Sequence, residues 1–389
     1  MLTKLRAQPN QIVAVVALLG VLGVGLWLRL RFIHAVQLYP DEFVTLLAVR
    51  MIGQKGLPIL PSGLFFEHGL LFSYAGSVAA WFGPARLAGR YASLLFGLVA
   101  LGLTFLVGRR WFSTGAALIA VTGLVIAPAA IHWSGRARMY ALLQLLVLLT
   151  IWLAYEGIVY DRPGRRWAAL LAYLGATLTH FNAVALAPPL GLAAVGLWWL
   201  KIGAGGQASS RGSARGGSRG AGESIKLIRQ KRLWLEAVAL GLILLIAFYV
   251  KRAGQPKGVE ALAVDNALAG LAQVLAIYGD LSLNLAAGWQ AINPFYLTLP
   301  ARIFTPFALL TGGLVLAQLI RRSSRQQITT FLAGQLDQST GQAVAWPWPA
   351  RPPAIFLTLI LFVTTLEMIL FVSPERRDDK YLFMLLPLL

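Results

Sequence analysis

The chain contains no cysteine and few acidic residues. Without cysteine it can form no disulfide, no thiolate metal site and no cysteine nucleophile, whichever compartment it occupies. Asp and Glu make up 15 of the 389 residues against 34 Lys and Arg, which gives a formal net charge of +19. Because acids are so scarce, an acid beside a long apolar run is a notable feature.

Long polar stretches are also scarce, since 58% of the residues are hydrophobic and several apolar runs approach twenty residues. This composition is typical of a polytopic membrane protein and excludes the water-soluble classes. The basic residues fall in the loops between apolar runs, where membrane orientation and anionic headgroups account for most of them. We therefore expect no nucleic-acid partner.

The apolar runs predict an all-α membrane protein with about ten spans. The first run, Ile12 to Ile33, exceeds a signal-peptide core and lacks a small-residue cleavage site before Arg29-Leu30-Arg31, so we interpret it as a retained anchor. We place spans near 11–33, 88–108, 113–131, 139–157, 166–184, 185–201, 233–250, 302–320 and 354–373, with another beginning at Tyr381.

The stretch 64–82 decides the orientation. Counting it as a span would put Lys201 to Arg232, with eight Lys or Arg against one Glu, on the outer face. A helix lying at the outer interface instead returns these charges to the cytoplasm, as the positive-inside tendency requires. We predict interfacial helices here, a cytoplasmic N-terminus and an outer-face active site in a multi-pass protein of the cell membrane.

Three regions follow from this topology. Residues 1–201 form an N-terminal transmembrane module with a first outer loop at 34–87. Residues 202–232 are rich in Gly, Ser and Arg and indicate a flexible basic cytoplasmic loop. Residues 233–389 hold the remaining spans and an outer loop at 251–301. Because the sequence stops within an apolar run at Leu388-Leu389, we expect it to be part of a longer protein.

The acidic pair Asp41-Glu42 lies just beyond the first span. Two carboxylates at the mouth of a span are costly to keep dry, so they should face water, an ion or a substrate. Simpler roles stay open for both. Asp41 could cap the helix that Tyr39-Pro40 introduces, and Glu42 could pair with an outer-face arginine.

The order of motifs from 30 to 140 resembles the N-terminal half of the GT-C glycosyltransferases, and is most similar to the branch of protein O-mannosyltransferases and lipid A aminoarabinose transferases. The motifs are an acidic pair, Gly-x-Pro and Pro-Ser-Gly stretches, an interfacial helix opening with His, an Arg-rich entry to the second span, and a Ser-x-x-Ala-Arg-Met-Tyr turn after a span ending in Pro. They correspond to Asp41-Glu42, Gly56-Leu57-Pro58, Pro61-Ser62-Gly63, Glu67-His68, the run from Ala85 to Gly97, Ala127-Pro128 and the run from Ser134 to Tyr140. The likeness covers roughly residues 10 to 200 and returns at Lys380-Tyr381-Leu382 with Leu386-Pro387.

The resemblance implies a GT-C-like bundle and a hexosyl or pentosyl transferase of the cell envelope, usually inverting. Its donor would be a polyprenyl-phosphate sugar and its acceptor a lipid, a glycan or a protein. The sequence names neither the sugar nor the acceptor. Such a transfer needs a base for the acceptor hydroxyl and positive charge for the departing phosphate.

Candidate site residues follow from matching the motifs to this chemistry. Asp41 is the candidate base, and Glu42 assists it or holds an ion or an arginine. The candidates for binding the donor phosphate are Arg86, Arg90, Arg138 and Lys380, and those for binding substrate are His68, Tyr140 and Tyr381. Arg136 stands where family members often carry a second acid, so a divalent metal at Asp41 and Glu42 stays an open question.

Two other classes stay open. A lipid flippase or transporter predicts charges deep in several spans and a repeat relating two halves, whereas the sequence shows one deep acid, Glu367, and no visible repeat. A non-catalytic relative of the glycosyltransferases is favoured by Arg136. The retention of both Asp41 and Glu42 argues against it.

Overall fold

The computed structural model describes residues 9–194, residues 219–254 and parts of 353–364. This part of the chain is nearly all helical, and its one isolated β-bridge joins Ile59 and Phe65. The helices are α1 Pro9–Ala35, α2 Pro40–Lys55, α3 Leu70–Ala79, α4 Ala85–Trp111, α5 Thr114–Ile126, α6 Pro128–Gly135, α7 Tyr140–Val159, α8 Pro163–Thr179 and α9 Arg219–Ala253. An apolar segment, Phe181–Ala194, follows α8 and begins as a 3-10 turn.

Four described helices are long and apolar enough to cross a membrane. They are Ile12–Ala35, Leu87–Trp111, Tyr140–Val159 and Leu233–Ala253, within α1, α4, α7 and α9. They coincide with the spans predicted at 11–33, 88–108, 139–157 and 233–250. The all-helical polytopic fold predicted from hydropathy is confirmed. The span predicted at 302–320 lies outside the described residues, as do most of the span at 354–373 and the span beginning at Tyr381.

The apolar run predicted as one span at 113–131 is two helices, α5 and α6, that meet at an angle of 64°. Pro128 begins α6 and has no N–H to continue the ladder of α5, so the helix breaks there. Arg29 of α1 is buried at the break and donates to Ser134 Oγ at 2.8 Å, and to the carbonyl oxygens of Leu124 at 3.4 Å and Val125 at 3.5 Å. A guanidinium thus satisfies backbone groups that lipid could not.

The stretch at 64–82 contains only the ten-residue helix α3. At 1.5 Å per residue this helix is about 15 Å long, half of the ~30 Å hydrocarbon core. It is therefore too short to span by itself, and its place at the outer interface stays a prediction. Trp81 and Phe82 follow it and are 78% and 85% exposed, which suits aromatic side chains at a membrane interface.

Helix α9 begins at Arg219, inside the loop predicted at 202–232. The last part of that loop is therefore helical and continues into the span, while 202–218 lies outside the described residues. Most of the outer loop predicted at 251–301 and the end of the span predicted at 185–201 also lie outside them. The division into three regions stays a prediction.

Helix α4 lies very close to α6 and to the turn that follows it. A Cβ atom placed on Gly97 would lie 2.6 Å from the Cβ of Ser134, and one on Gly89 would lie 2.7 Å from the Cβ of Ala137. These distances are shorter than two carbon atoms tolerate, so glycine is needed at both positions. The close approach sets the position of residues 136–138 beside α2.

Candidate functional site

A buried ion pair joins the start of α2 to α4. Glu42 is fully buried, and its two oxygens accept from Arg90 Nε at 2.8 Å and Arg90 Nη2 at 2.9 Å. The same carboxylate accepts from the backbone amides of Ala137 at 2.7 Å and Tyr39 at 2.8 Å. Arg136 Nη1 lies 3.5 Å from it. We call Glu42, Arg90 and the Ala137 amide the buried node.

The buried node keeps Glu42 ionised. Burial raises the pKa of its carboxyl, but the hydrogen bonds from Arg90 and from the amides of Tyr39 and Ala137 lower it by more in total. The net pKa lies below the usual range. Glu42 therefore acts as a fixed negative charge that holds three parts of the chain together.

Arg90 has no N–H left for a substrate. Besides the two bonds to Glu42, it donates to the carbonyl oxygens of Ile33 at 2.8 Å, Val36 at 2.7 Å and Gln37 at 2.9 Å, around the end of α1. These contacts use all five donors of the guanidinium. We therefore no longer propose Arg90 as a ligand of the donor phosphate. Glu42 likewise has no oxygen directed to a substrate, and we replace its catalytic role by a positioning one.

A polar cavity of about 350 Å³ lies next to the buried node. It is enclosed by the start of α2, the turn before α3, the start of α7, the end of α8 and the end of α9. Its lining residues are Asp41, Glu67, His68, Arg138, Met139, Tyr140, Thr177, His180, Phe181, Asn182, Ala247, Val250 and Lys251. The structure thus brings together four residues predicted from the sequence, namely Asp41, His68, Arg138 and Tyr140.

Asp41 faces the cavity and pairs with Arg138. Its Oδ2 lies 3.3 Å from Arg138 Nη2, and its side chain is 58% exposed. Arg138 also donates to the Asp41 carbonyl oxygen at 3.2 Å and to Thr45 Oγ1 at 3.3 Å. Asp41 precedes Glu42, and Arg138 follows Ala137, so the Glu42 to Ala137 hydrogen bond sets the distance between the two cavity residues.

Two charged residues of the cavity were not predicted as site residues. Glu67 Oε1 lies 2.7 Å from Lys251 Nζ and 2.9 Å from His68 Nδ1. Burial raises the pKa of Glu67, but the bonds from His68 and Lys251 lower it by more, to about 2. Glu67 could have been found through its neighbour His68. Lys251 lies 184 residues after Glu67, at the end of a span. The sequence alone does not distinguish it from an ordinary interfacial lysine.

Aromatic rings line the wall between His68 and α7. The ring of Tyr140 lies 5.8 Å from that of His180, and the ring of His180 lies 6.5 Å from that of His68 in an edge-to-face arrangement. Tyr140 and His180 are both buried. The side chain of Asp41 therefore shares its cavity with a firmly packed aromatic wall.

Three predicted site residues have no described side chain. Lys380 and Tyr381 lie outside the described residues, and α4 is described at Arg86 only through its backbone. Their assigned roles stay predictions.

The acidic pair does not fit a divalent metal ion. Within the part of the chain that the structure describes, no group of three or more His, Asp or Glu is arranged to hold a metal. The oxygens of Glu42 are occupied by N–H donors, while Asp41 faces the cavity. Glu42 therefore cannot share an ion with Asp41.

A second cavity, of about 400 Å³, is also lined by α8 and α9, and we call the space between these two helices the crevice. Most of its lining residues are apolar, among them Leu170, Tyr173, Leu190 and Leu240, and the charged residues Asp161, Arg166 and Glu236 also line it. Tyr173 stands one helical turn before Thr177 of the polar cavity, and Leu240 stands two turns before Ala247. The crevice therefore carries an apolar cavity next to a charged one.

The described helices define a helical membrane protein, and one of three comparisons finds a protein with a similar fold. No family model matches the chain, and no curated protein matches it. Among solved structures the chain is similar to ArnT from Cupriavidus metallidurans bound to undecaprenyl phosphate, with a TM-score of 0.53 and 16% sequence identity. ArnT has the polytopic GT-C fold of membrane glycosyltransferases. The match covers 98% of this chain and 59% of ArnT, and it shows that the two share a fold.

Proposed function

We propose that this protein is a membrane glycosyltransferase that moves a sugar from a polyprenyl-phosphate donor to a lipid, glycan or protein acceptor. The observation that carries the proposal is the polar cavity, which joins Asp41 to the cations Arg138 and Lys251 on a fold shared with ArnT. ArnT was crystallised with undecaprenyl phosphate. The more detailed resemblance to protein O-mannosyltransferases and aminoarabinose transferases belongs to the same proposal.

The crevice suits a donor with a charged head and an apolar tail. Arg138 and Lys251 place two positive charges in the polar cavity, where they can bind the donor phosphate and stabilise it as it departs. The apolar cavity along α8 and α9 offers space for part of a prenyl chain. In this proposal Lys251 takes the place that the sequence assigned to Arg90, and Arg86 and Lys380 stay further candidates.

Asp41 stays the candidate carboxylate on the acceptor side. Its exposed oxygens can accept a hydrogen bond from the acceptor hydroxyl, and the first turn of α2 fixes its backbone. In an inverting transfer the acceptor oxygen bonds to the anomeric carbon from the face opposite the phosphate. The bond from that carbon to the phosphate oxygen breaks, and its electron pair leaves with polyprenyl phosphate.

The polar cavity would lie on the outer face of the membrane, as the positive-inside tendency predicts. Tyr140 and His68 line it and are the candidates for holding the sugar or the acceptor, together with Tyr381. The protein would thus act where a lipid-linked donor arrives by diffusion in the bilayer.

The test is a transfer assay with purified protein in lipid nanodiscs, supplied with labelled polyprenyl-phosphate sugars and, separately, with nucleotide sugars. We expect transfer from the former only, and a rise of roughly tenfold or more in KM for the donor in Arg138→Met and Lys251→Met, since each removes a charge-assisted contact. Arg31→Met, an exposed arginine of α1, serves as the control. Transfer from nucleotide sugars, or no transfer by the wild type with any donor, would contradict the proposal.

A further inference from the structure

Glu67 and His68 are arranged so that the His68 ring can accept a proton while the Glu67 carboxylate orients it. The side chain of Glu67 is only 8% exposed, and Lys251 Nζ and His68 Nδ1 both contact its Oε1. Because its pKa is lowered to about 2, Glu67 is a carboxylate at neutral pH and can only accept hydrogen bonds. The contact at 2.9 Å therefore requires a proton on His68 Nδ1.

A proton on Nδ1 leaves Nε2 of neutral His68 with a lone pair. The side chain is 49% exposed and lines the polar cavity, so the ring has access to a substrate bound there. A carboxylate behind a histidine fixes its tautomer and stabilises the imidazolium that forms when Nε2 takes a proton. Lys251 in turn holds the carboxylate in place.

The charged and titratable groups around His68 come from every wall of the cavity. They are Glu67 beside it, Asp41 of α2, Arg138 and Tyr140 at the start of α7, His180 after α8 and Lys251 of α9. Asp41 is held by the guanidinium of Arg138 at 3.3 Å, whereas Glu67 reaches His68 directly. His68 thus has a carboxylate behind it at hydrogen-bonding distance.

We infer that His68 is the general base of the transfer, oriented by Glu67 and Lys251, and that Asp41 holds Arg138 and the acceptor hydroxyl in place. The inference rests on the proposed function and assigns to His68 the step for which Asp41 was the candidate. The acceptor O–H proton moves to His68 Nε2 as the oxygen bonds to the anomeric carbon. The phosphate leaves with the electron pair of the broken bond. His68 then returns its proton to water through its exposed edge.

The test is the pH dependence of kcat in the nanodisc assay. With His68 as base, wild-type kcat falls toward acid pH, because a protonated imidazole cannot take up the proton of the acceptor hydroxyl. His68→Gln removes this acid limb and lowers kcat by about 10²-fold or more at pH 8, the usual contribution of a general base. Glu67→Gln lowers kcat, because the imidazolium loses the carboxylate that stabilises it, and it leaves the KM for the donor nearly unchanged.

Matched controls separate the outcomes. His34→Gln, at an exposed position in the last turn of α1, keeps both the rate and the limb. If Asp41→Asn removes the limb and His68→Gln retains it, Asp41 is the base and the inference is wrong, although the protein still transfers sugar. If His68→Gln raises the KM for the donor with kcat unchanged, His68 only binds phosphate and the inference also fails. An inactive wild type would instead contradict the proposed function.

Discussion

At the residue scale, the two adjacent acids Asp41 and Glu42 lie in different environments. Glu42 is buried against Arg90 and two backbone amides, while Asp41 opens to the cavity. The sequence predicted that the pair was unusual, because acids are rare beside spans. It could not tell the two apart, since the arginine that covers Glu42 comes from α4, 48 residues later. The possibility that Glu42 pairs with an arginine was open from the start.

Arg90 contacts the protein with all of its donors, so its removal should lower the free energy of unfolding. Arg90→Met leaves a buried carboxylate without its partner and frees the carbonyls at the end of α1, which should cost about 3–5 kcal/mol of unfolding free energy. Denaturation in detergent measures it. Arg109→Met, at an exposed position of the same helix, should change stability by no more than about 0.5 kcal/mol. Equal stability of the two variants would show that the node contributes nothing.

At the element scale, hydropathy found the apolar run at 113–131 but did not show the break between α5 and α6. A window average treats 113–131 as one apolar run, and Pro128 within it is compatible with either a kinked span or a break. The deciding partner is Arg29, which sits inside an equally apolar run of α1. Patterns along one helix do not reveal which carbonyls of another helix a buried guanidinium will reach. The α1, α4, α7 and α9 spans, which carry no such interruption, were predictable.

The hydrogen bonds that Arg29 makes at this break can be tested by comparing two arginines of α1. Arg29→Met removes the donor to Ser134 and to two carbonyls, and each buried group left unsatisfied costs about 1–3 kcal/mol. Because α6 leads into the turn that carries Arg138, transfer activity should fall as well. Arg31, two residues on, is exposed beside the Trp27 ring, and Arg31→Met should cost less than about 1 kcal/mol. An equal loss of stability in both variants would show that the hydrogen bonds of Arg29 do not stabilise the break.

The contact between α4 and the 136–138 turn depends on a missing side chain. Gly89→Ala places a methyl group 2.7 Å from the Cβ of Ala137, and the clash should cost about 1–3 kcal/mol and displace Arg138. Gly102→Ala on the same helix meets nothing within 4 Å and should stabilise α4 by up to about 1 kcal/mol. Thermal unfolding and donor KM measure both effects. A harmless Gly89→Ala would show that the turn can move without consequence.

At the scale of the whole molecule, the site is assembled from distant parts of the chain by the packing of helices. Asp41, His68 and Arg138 belong to motifs whose order in the sequence already indicated a common site. Lys251 joins them only because α9 ends beside the turn before α3. Such a long-range pairing leaves no local pattern, and so the sequence could not predict it.

The orientation of the bundle can be tested because the protein has no cysteine of its own. Ser62, in the loop before α3, and Gly164, at the start of α8, are both exposed, and α4, the α5–α6 pair and α7 lie between them. If the bent pair crosses the membrane, an impermeant thiol reagent should label Ser62→Cys in intact cells and Gly164→Cys only after permeabilisation. Labelling of both from outside would mean that the α5–α6 pair turns back within the membrane.

The central claim is that the cavity containing Asp41 is where a sugar leaves polyprenyl phosphate. The most direct measurement compares sugar transfer by the wild type and Asp41→Asn in nanodiscs, with Gln54→Ala at an exposed position of the same helix α2 as the control. The account predicts that Asp41→Asn folds normally but loses about 10²-fold or more of kcat/KM, because Arg138 and the acceptor hydroxyl lose the carboxylate that positions them, and that Gln54→Ala stays active. Equal transfer by the wild type and Asp41→Asn would contradict it.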